Sequence, residues 1–239
     1  MTTTALVVGL TAVLIGAIVQ GSVGFGLNLL AAPVIALVYP HALPGSIILV
    51  ALPLSFVVAL RDREHRDAPA LRWMLVGAIP GTVLGVLIAT FASVNLLTLI
   101  VGVVTVLGVV LSLLPAELKV SSSTACGAGF ASQTMGTAVG VGGPPVALLF
   151  QRHHGAMVRA TLGHFFAFTG VLSVAGLLIA HNLTMPQARY AAALAPAMVV
   201  GLVVSGPLRH RLDVRWLRPT MLAMCALAGL MAIARGLTA

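Results

Sequence analysis

Seven apolar runs follow one another along this chain with almost nothing polar between them: residues 4–19, 43–60, 71–91, 96–114, 158–180, 190–207 and 216–234. A helix rises ~1.5 Å per residue and a bilayer core is ~30 Å thick, so runs of this length read as membrane spans. The longest polar insert is only RDREHRDAPA, residues 61–70. With 59% apolar residues, 8% charged and a mean hydropathy of +1.11, the chain lacks the polar groups needed to cover a soluble exterior. The expectation is an all-α polytopic membrane protein in a single membrane domain, 1–239. The opening MTTTALVVGL carries no basic stretch and leads straight into further spans, so it reads as a retained helix and not a cleaved leader.

The net charge of +8 would suggest nucleic acid in a soluble protein, but here the 13 basic residues sit in short loops without interleaved aromatics. Topology and lipid headgroups account for them, and no nucleic acid partner is expected. Their positions set the topology. Suppose that 4–19 and 27–39 form a hairpin that returns to its starting side, and that the region from GFASQTMG to GGPPVALLF does the same. Then Arg61, Arg63, Arg66, Arg72, Lys119, Arg152, Arg159, Arg209, Arg211, Arg215 and Arg218 share one side, the cytoplasmic one. Only Arg189 and Arg235 fall opposite, and both termini are non-cytoplasmic. Trp73 and Trp216, each beside an arginine, suit the same interface depth.

Displacing the chain by 116 positions lays Val23, Gly24 and Gly26 on Val139, Gly140 and Gly142, Pro80 on Pro196, and Gly85 on Gly201. The ladder Gly77, Gly81, Gly85, Ala89 falls on Ala193, Ala197, Gly201, Ser205, a small-residue stripe at helical spacing that permits close helix approach. Each half, about 1–118 and 119–239, then holds one glycine-rich hairpin, broken or re-entrant, plus three crossings. That odd number makes the two repeats inverted, as in many transporters.

The glycine-rich stretches GSVGFGLN (21–28) and GTAVGVGGPP (136–145) interrupt what would otherwise be helix. Glycine admits backbone that a helix does not use, proline removes a donor, and irregular backbone at membrane depth must be buried or line a cavity. Both stretches read as tips where the chain reverses and a new helix begins, its free amides favouring an anion. The candidate substrate-binding residues are Ser22, Gly24, Phe25, Gly26, Asn28, Gln133, Thr134, Thr137, Gly140, Gly142 and Gly143. Phe25 either gates the passage or packs.

GSVGFGLNLLAAPVIAL and GTAVGVGGPPVALLF, followed by RATLG at 159–163, resemble the paired signatures of the TauE/SafE family of membrane transporters, the sulfite exporters. The resemblance runs over essentially the whole chain. It implies a permease of the bacterial inner membrane that moves small, often sulfur-containing anions such as sulfite, sulfoacetate or related organosulfonates by alternating access. Pro144-Pro145 and Leu27-Asn28 depart from the family pattern and alter the lining of the expected site.

All five carboxylates, Asp62, Glu64, Asp67, Glu117 and Asp213, fall in expected cytoplasmic loops, so no span carries an acid to bind sodium or a proton. Export of an anion could then run on membrane potential alone. His164 is the one histidine well inside a span, either a proton carrier or a helix-to-helix hydrogen bond. Ser46 and Thr161 are further lining candidates. Arg152 and Arg159 either fix topology or draw anions to the entrance. Cys126 and Cys225 read as packing residues. No metal or cofactor motif occurs, nor GxSxG, HExxH or a paired aspartate within a span, so neither a cofactor nor an enzyme is expected. An anion channel or a non-transporting assembly factor are the alternatives, and a homo-oligomer is compatible with such a chain.

Overall fold

The computed structural model describes residues 2–113, 119–150, 153, 155–208 and 214–238, without the side chains of 208 and 214–221. Glu117, Arg152, Arg209, Arg211 and Asp213, and the side chains of Arg215, Trp216 and Arg218, lie outside that description, as does the repeat boundary at 118. Among the described residues all regular structure is helical. Helices α1 (Thr3–Val23), α2 (Leu27–Val38), α3 (Gly45–Arg61), α4 (Ala68–Phe91) and α5 (Val94–Leu113) precede α6 (Ser122–Val139), α7 (Gly143–Leu149), α8 (Gly155–Ile179), α9 (Met185–Leu208) and α10 (Val214–Thr238).

Five of these, α1, α4, α5, α8 and α9, are long and apolar enough to cross a membrane. Their outward faces agree: Val76, Ile79, Val83, Leu87 and Phe91 on α4, and Val199, Val200 and Val203 on α9, are exposed. An apolar exterior of this extent belongs in lipid. The helices outrun the apolar runs because polar caps start them. The Asp67 carboxylate accepts the Ala70 amide, so α4 begins at Ala68 with Pro69 in its first turn. Ser121 and Thr124 cap α6 reciprocally.

The small-residue ladders locate the packing. Gly77, Gly81 and Gly85 of α4 lie against Cys126, Phe130 and Thr134 of α6, so that a methyl on Gly81 would stand 2.6 Å from the Phe130 carbonyl. In the other half Gly201 and Ser205 of α9 lie against Ala17 and Gly21 of α1. Both pairs run parallel. Between them α3 and α8 cross antiparallel, with Gly163 against Ala59 and Gly170 against Leu52. The α5–α10 pair is antiparallel too, through Gly236 on Leu99 and Gly102 on Ile233.

These pairings sort the bundle into two ends. At one, Arg159 of α8 bonds Asp62 after α3, Arg61 reaches the Leu202 carbonyl of α9, and α4 and α6 begin. At the other, the Tyr190 hydroxyl donates to the Ala5 carbonyl, Gln187 holds the Leu43 carbonyl, and Arg235 holds the Leu37 carbonyl. Arg61, Arg63, Arg66, Arg72, Lys119 and Arg159 thus lie toward the first end, Arg189 and Arg235 toward the second. Helix α2 returns to the end where α1 starts, since Tyr39 closing α2 meets Tyr190 edge-on at 5.2 Å. At ~1.5 Å per residue, α2 spans roughly 18 Å and α7 roughly 10 Å, both well short of the ~30 Å of a bilayer core.

Candidate functional site

Both glycine stretches are helix breaks. Helix α1 ends on Gly24 at φ 103° and α6 on Gly140 at φ 84°, left-handed conformations that side chains with a Cβ resist. The caps are equivalent: the Gly24 amide donates to the Gln20 carbonyl at 2.8 Å, the Gly140 amide to the Gly136 carbonyl at 2.9 Å. Gly26 and Gly142 then open α2 and α7.

Gly24 lies against Arg159, near the start of α8, and Gly140 against Ile47, near the start of α3. Each tip therefore reaches past the midpoints of α3 and α8, and the two overlap side by side. The Phe25 ring rests on the Cα of Gly143 where they pass. A cavity of about 50 Å³ opens beside this contact, midway along α3 and α8. The first tip lends it Gln20, Phe25, Gly26 and Asn28, the second Ser132, Gln133, Gly136, Gly142 and Gly143. Ser55 of α3 and Thr169 and Ser173 of α8 add to its polar wall, and among the described residues no charged one lines it.

Most of that wall is already hydrogen-bonded. The Gln20 amide donates to Ser55 Oγ at 3.2 Å, while its carbonyl oxygen accepts the Leu27 amide at 3.3 Å. The Ser132 hydroxyl donates to the Gly142 carbonyl and ties the second tip to α6. Gln133 Nε2 has four acceptors within about 3 Å, Thr82 Oγ1, Thr137 Oγ1, the Thr169 carbonyl and Ser173 Oγ, for two hydrogens. Thr137 and Ser173 bond each other at 2.7 Å. This network joins α4, α6 and α8 behind the cavity. Asn28 Oδ1, at the cavity, and Ser46 Oγ are buried without a partner among the described residues.

Of the residues singled out in the sequence, Phe25, Gly26, Asn28, Gln133, Gly142 and Gly143 line the cavity. Thr137 lies one hydrogen bond behind it, and Gly24 and Gly140 shape the tips. The others are placed elsewhere. Ser22 and Thr134 turn their hydroxyls onto the Ile18 and Phe130 carbonyls of their own helices. Thr161 accepts the Asp67 amide at 2.9 Å and anchors the α3–α4 connection, and His164 Nδ1 is engaged with the Ala160 carbonyl at 2.7 Å. Ser46 is fully buried near Gly140's contact with α3. Gln20, Ser55, Ser132, Thr169 and Ser173 are the lining residues that sequence reading passed over; each is a polar residue inside an apolar helix.

The two tips are unequal as sources of backbone donors. Helix α2 opens with amides at Leu27, Asn28 and Leu29, the first already given to Gln20, whereas Pro144 and Pro145 remove two from the start of α7. The expected symmetric pair of positive helix ends is therefore lopsided toward the first tip.

A break in each half, both built on left-handed glycines and both at one central cavity, is a whole-chain arrangement, and the family comparison covers it. The family model for sulfite exporter TauE/SafE matches residues 8–232. The chain belongs to the TauE/SafE family. No curated protein and no solved structure matches the chain. TauE/SafE proteins are membrane transporters, so the multi-pass bundle and its lipid-compatible exterior belong to a permease.

Proposed function

We propose that this TauE/SafE protein carries a small anion, sulfite or an organosulfonate, across the bacterial inner membrane by alternating access. The observation that carries this reading is the convergence of both tips on one central cavity. Its uncharged, hydrogen-bonding wall suits a small oxyanion better than a cation, which would call for a carboxylate. About 50 Å³ is room for a few waters or one compact solute, on the order of 10–15 Å³ being needed for a single water. At the arginine end Asp62–Arg159 ties α3 to α8, and at the other the Gln187 and Tyr190 contacts tie α9 to the α2–α3 connection and to α1. Convergence of both breaks on one cavity favours a carrier over an anion channel, and the hydrogen-bonding groups in its wall favour transport over an assembly role.

Alternating access follows from two inverted repeats, residues about 1–118 and 119–239. Supporting this are the exchange of partners, α1 with α9 and α6 with α4, and the equivalent glycine caps 116 positions apart. The arginine-rich end is the cytoplasmic one by the positive-inside rule, which leaves both termini outside. Substrate sits at the tips, held by Asn28, by the Gly26 and Gly142–Gly143 backbone and by Gln133, with Gly24 and Gly140 fixing the turns. Counterflow in proteoliposomes tests the reading: labelled sulfite should enter faster against unlabelled sulfite inside and should saturate, whereas conductance without trans-stimulation would mark a channel and absence of flux an assembly factor.

A further inference from the structure

Arg159 touches two things at once. Its Nε lies 2.7 Å from Asp62 Oδ2, linking the start of α8 to the end of α3, and both side chains are about 85% buried, at 15% and 14% exposure. Its backbone is also what the first tip rests on, since a methyl on Gly24 would stand 2.8 Å from the Arg159 Cα. The next residue, Phe25, is cavity wall. A path of direct contacts thus runs from the ion pair through Gly24 to the cavity.

Among the described residues Asp62–Arg159 is the ion pair that bridges the two halves, and it does so at the arginine-rich end. A guanidinium binds carboxylates and other oxyanions by the same planar fork, so an incoming anion competes with Asp62 for one group. The ligand of such a site is the ligand of the central cavity.

We propose that Arg159 is an entry subsite for the transported oxyanion, occupied by Asp62 when the arginine-rich end is closed and by the anion as it opens. Anion capture at Arg159 releases α3 from α8 and frees the Gly24–Phe25 tip to move. The pair is at once lock and first binding site. Nearby, Arg61 is held on Ser205 and the Leu202 carbonyl, and the Asp67 amide is held by Thr161, so the α3–α4 connection has anchors besides the ion pair.

The inference rests on the transport reading and is tested by side-specific kinetics in vesicles of known orientation, with sulfite presented to one face or the other. Asp62→Asn should lower the KM for sulfite at the arginine-rich face, and Arg159→Gln should raise it, each on the order of fivefold, the shift that loss of a partly buried pair imposes on a two-state equilibrium. Arg159→Lys should recover part of the loss, and the KM at the opposite face should change little in all three. A disulfide between cysteines at positions 62 and 159 should stop transport until reduced. If both single variants raise the KM alike at both faces, the pair is structural only and the subsite is refuted. Sulfite flux in the parent with all KM values unchanged overturns the subsite alone, and no flux in the parent overturns the transport reading with it.

Discussion

The ring of Phe25 lies on Gly143, with Cδ2 3.3 Å from where a Cβ on that glycine would be. One residue comes from the break after α1, the other from the break after α6, so a contact 118 positions apart in sequence brings the two helix breaks together at the middle of the bundle. The cavity exists because these segments pass each other without filling the space between α3 and α8.

The left-handed caps should be the least replaceable positions. Valine at 24 or 140 combines disfavoured backbone, on the order of 1–3 kcal/mol, with overlap onto Arg159 or Ile47. Gly24→Val and Gly140→Val should each abolish sulfite flux while the protein still inserts, as judged by membrane fractionation and by cysteine labelling at each end. Retained flux would remove these turns from the mechanism.

Two glycines of one helix give an internal control for packing. Gly129 faces the Met74 carbonyl of α4 so closely that a methyl collides, whereas Gly127 has nothing within 4 Å. Gly129→Ala should lower the melting temperature by several degrees, given that overpacking costs ~1–3 kcal/mol and that ~1 kcal/mol moves a chain of this size by about 2–4 °C. Gly127→Ala should be neutral or slightly stabilising.

Replacing Gln133 by leucine removes the two hydrogens that Nε2 shares among Thr82 Oγ1, Thr137 Oγ1, Ser173 Oγ and the Thr169 carbonyl. Each buried group left unpaired costs about 1–3 kcal/mol, less where neighbours such as Thr137 and Ser173 can still bond one another. Gln133→Leu should therefore melt well below the parent and lose transport, while Thr134→Val, on the same helix but bonded only to its own backbone, should keep both. Equal losses in the two variants would contradict the network.

Which groups are charged fixes how flux is driven. Among the described residues no acid or base lines the cavity, and His164 is engaged with its own helix. Outward anion flux should accelerate under an inside-negative potential, which is worth ~2.3 kcal/mol per charge per 100 mV. His164→Ala should leave that response and its pH profile unchanged. Flux indifferent to potential would mean a coupled ion.

The breaks were legible because glycine and proline inside an apolar run violate a local rule, and irregular backbone at membrane depth has few permitted uses. The ladders were legible because spacing of four is a property of sequence. Rotation about each helix axis was not. Ser132 and Thr134 look alike in the sequence, as do Gln20 and Ser22, yet two positions on a helix are roughly 200° apart. Ser132 and Gln20 face the cavity, and Thr134 and Ser22 bond their own backbone. Ser55, Thr169 and Ser173 join the wall only because α3 and α8 cross at their midpoints, a relation between distant segments that no local pattern encodes. The expected balance of the two tips failed for a local reason, the two prolines that open α7.

Gly136 offers the most direct test of the central cavity. It lines the hollow, and a Cβ there would stand 3.5 Å from the Gly142 Cα, an ordinary contact, so a side chain can be accommodated at the cost of filling the space. The measurement is the melting temperature of purified parent and Gly136→Leu proteins with and without sulfite, since a ligand held only by the folded form stabilises it by ~2.7 kcal/mol at a hundred times its Kd. Sulfite should raise the parent by several degrees and leave Gly136→Leu, folded but plugged, where it was. An equal rise in both would place the anion outside the cavity and contradict the account.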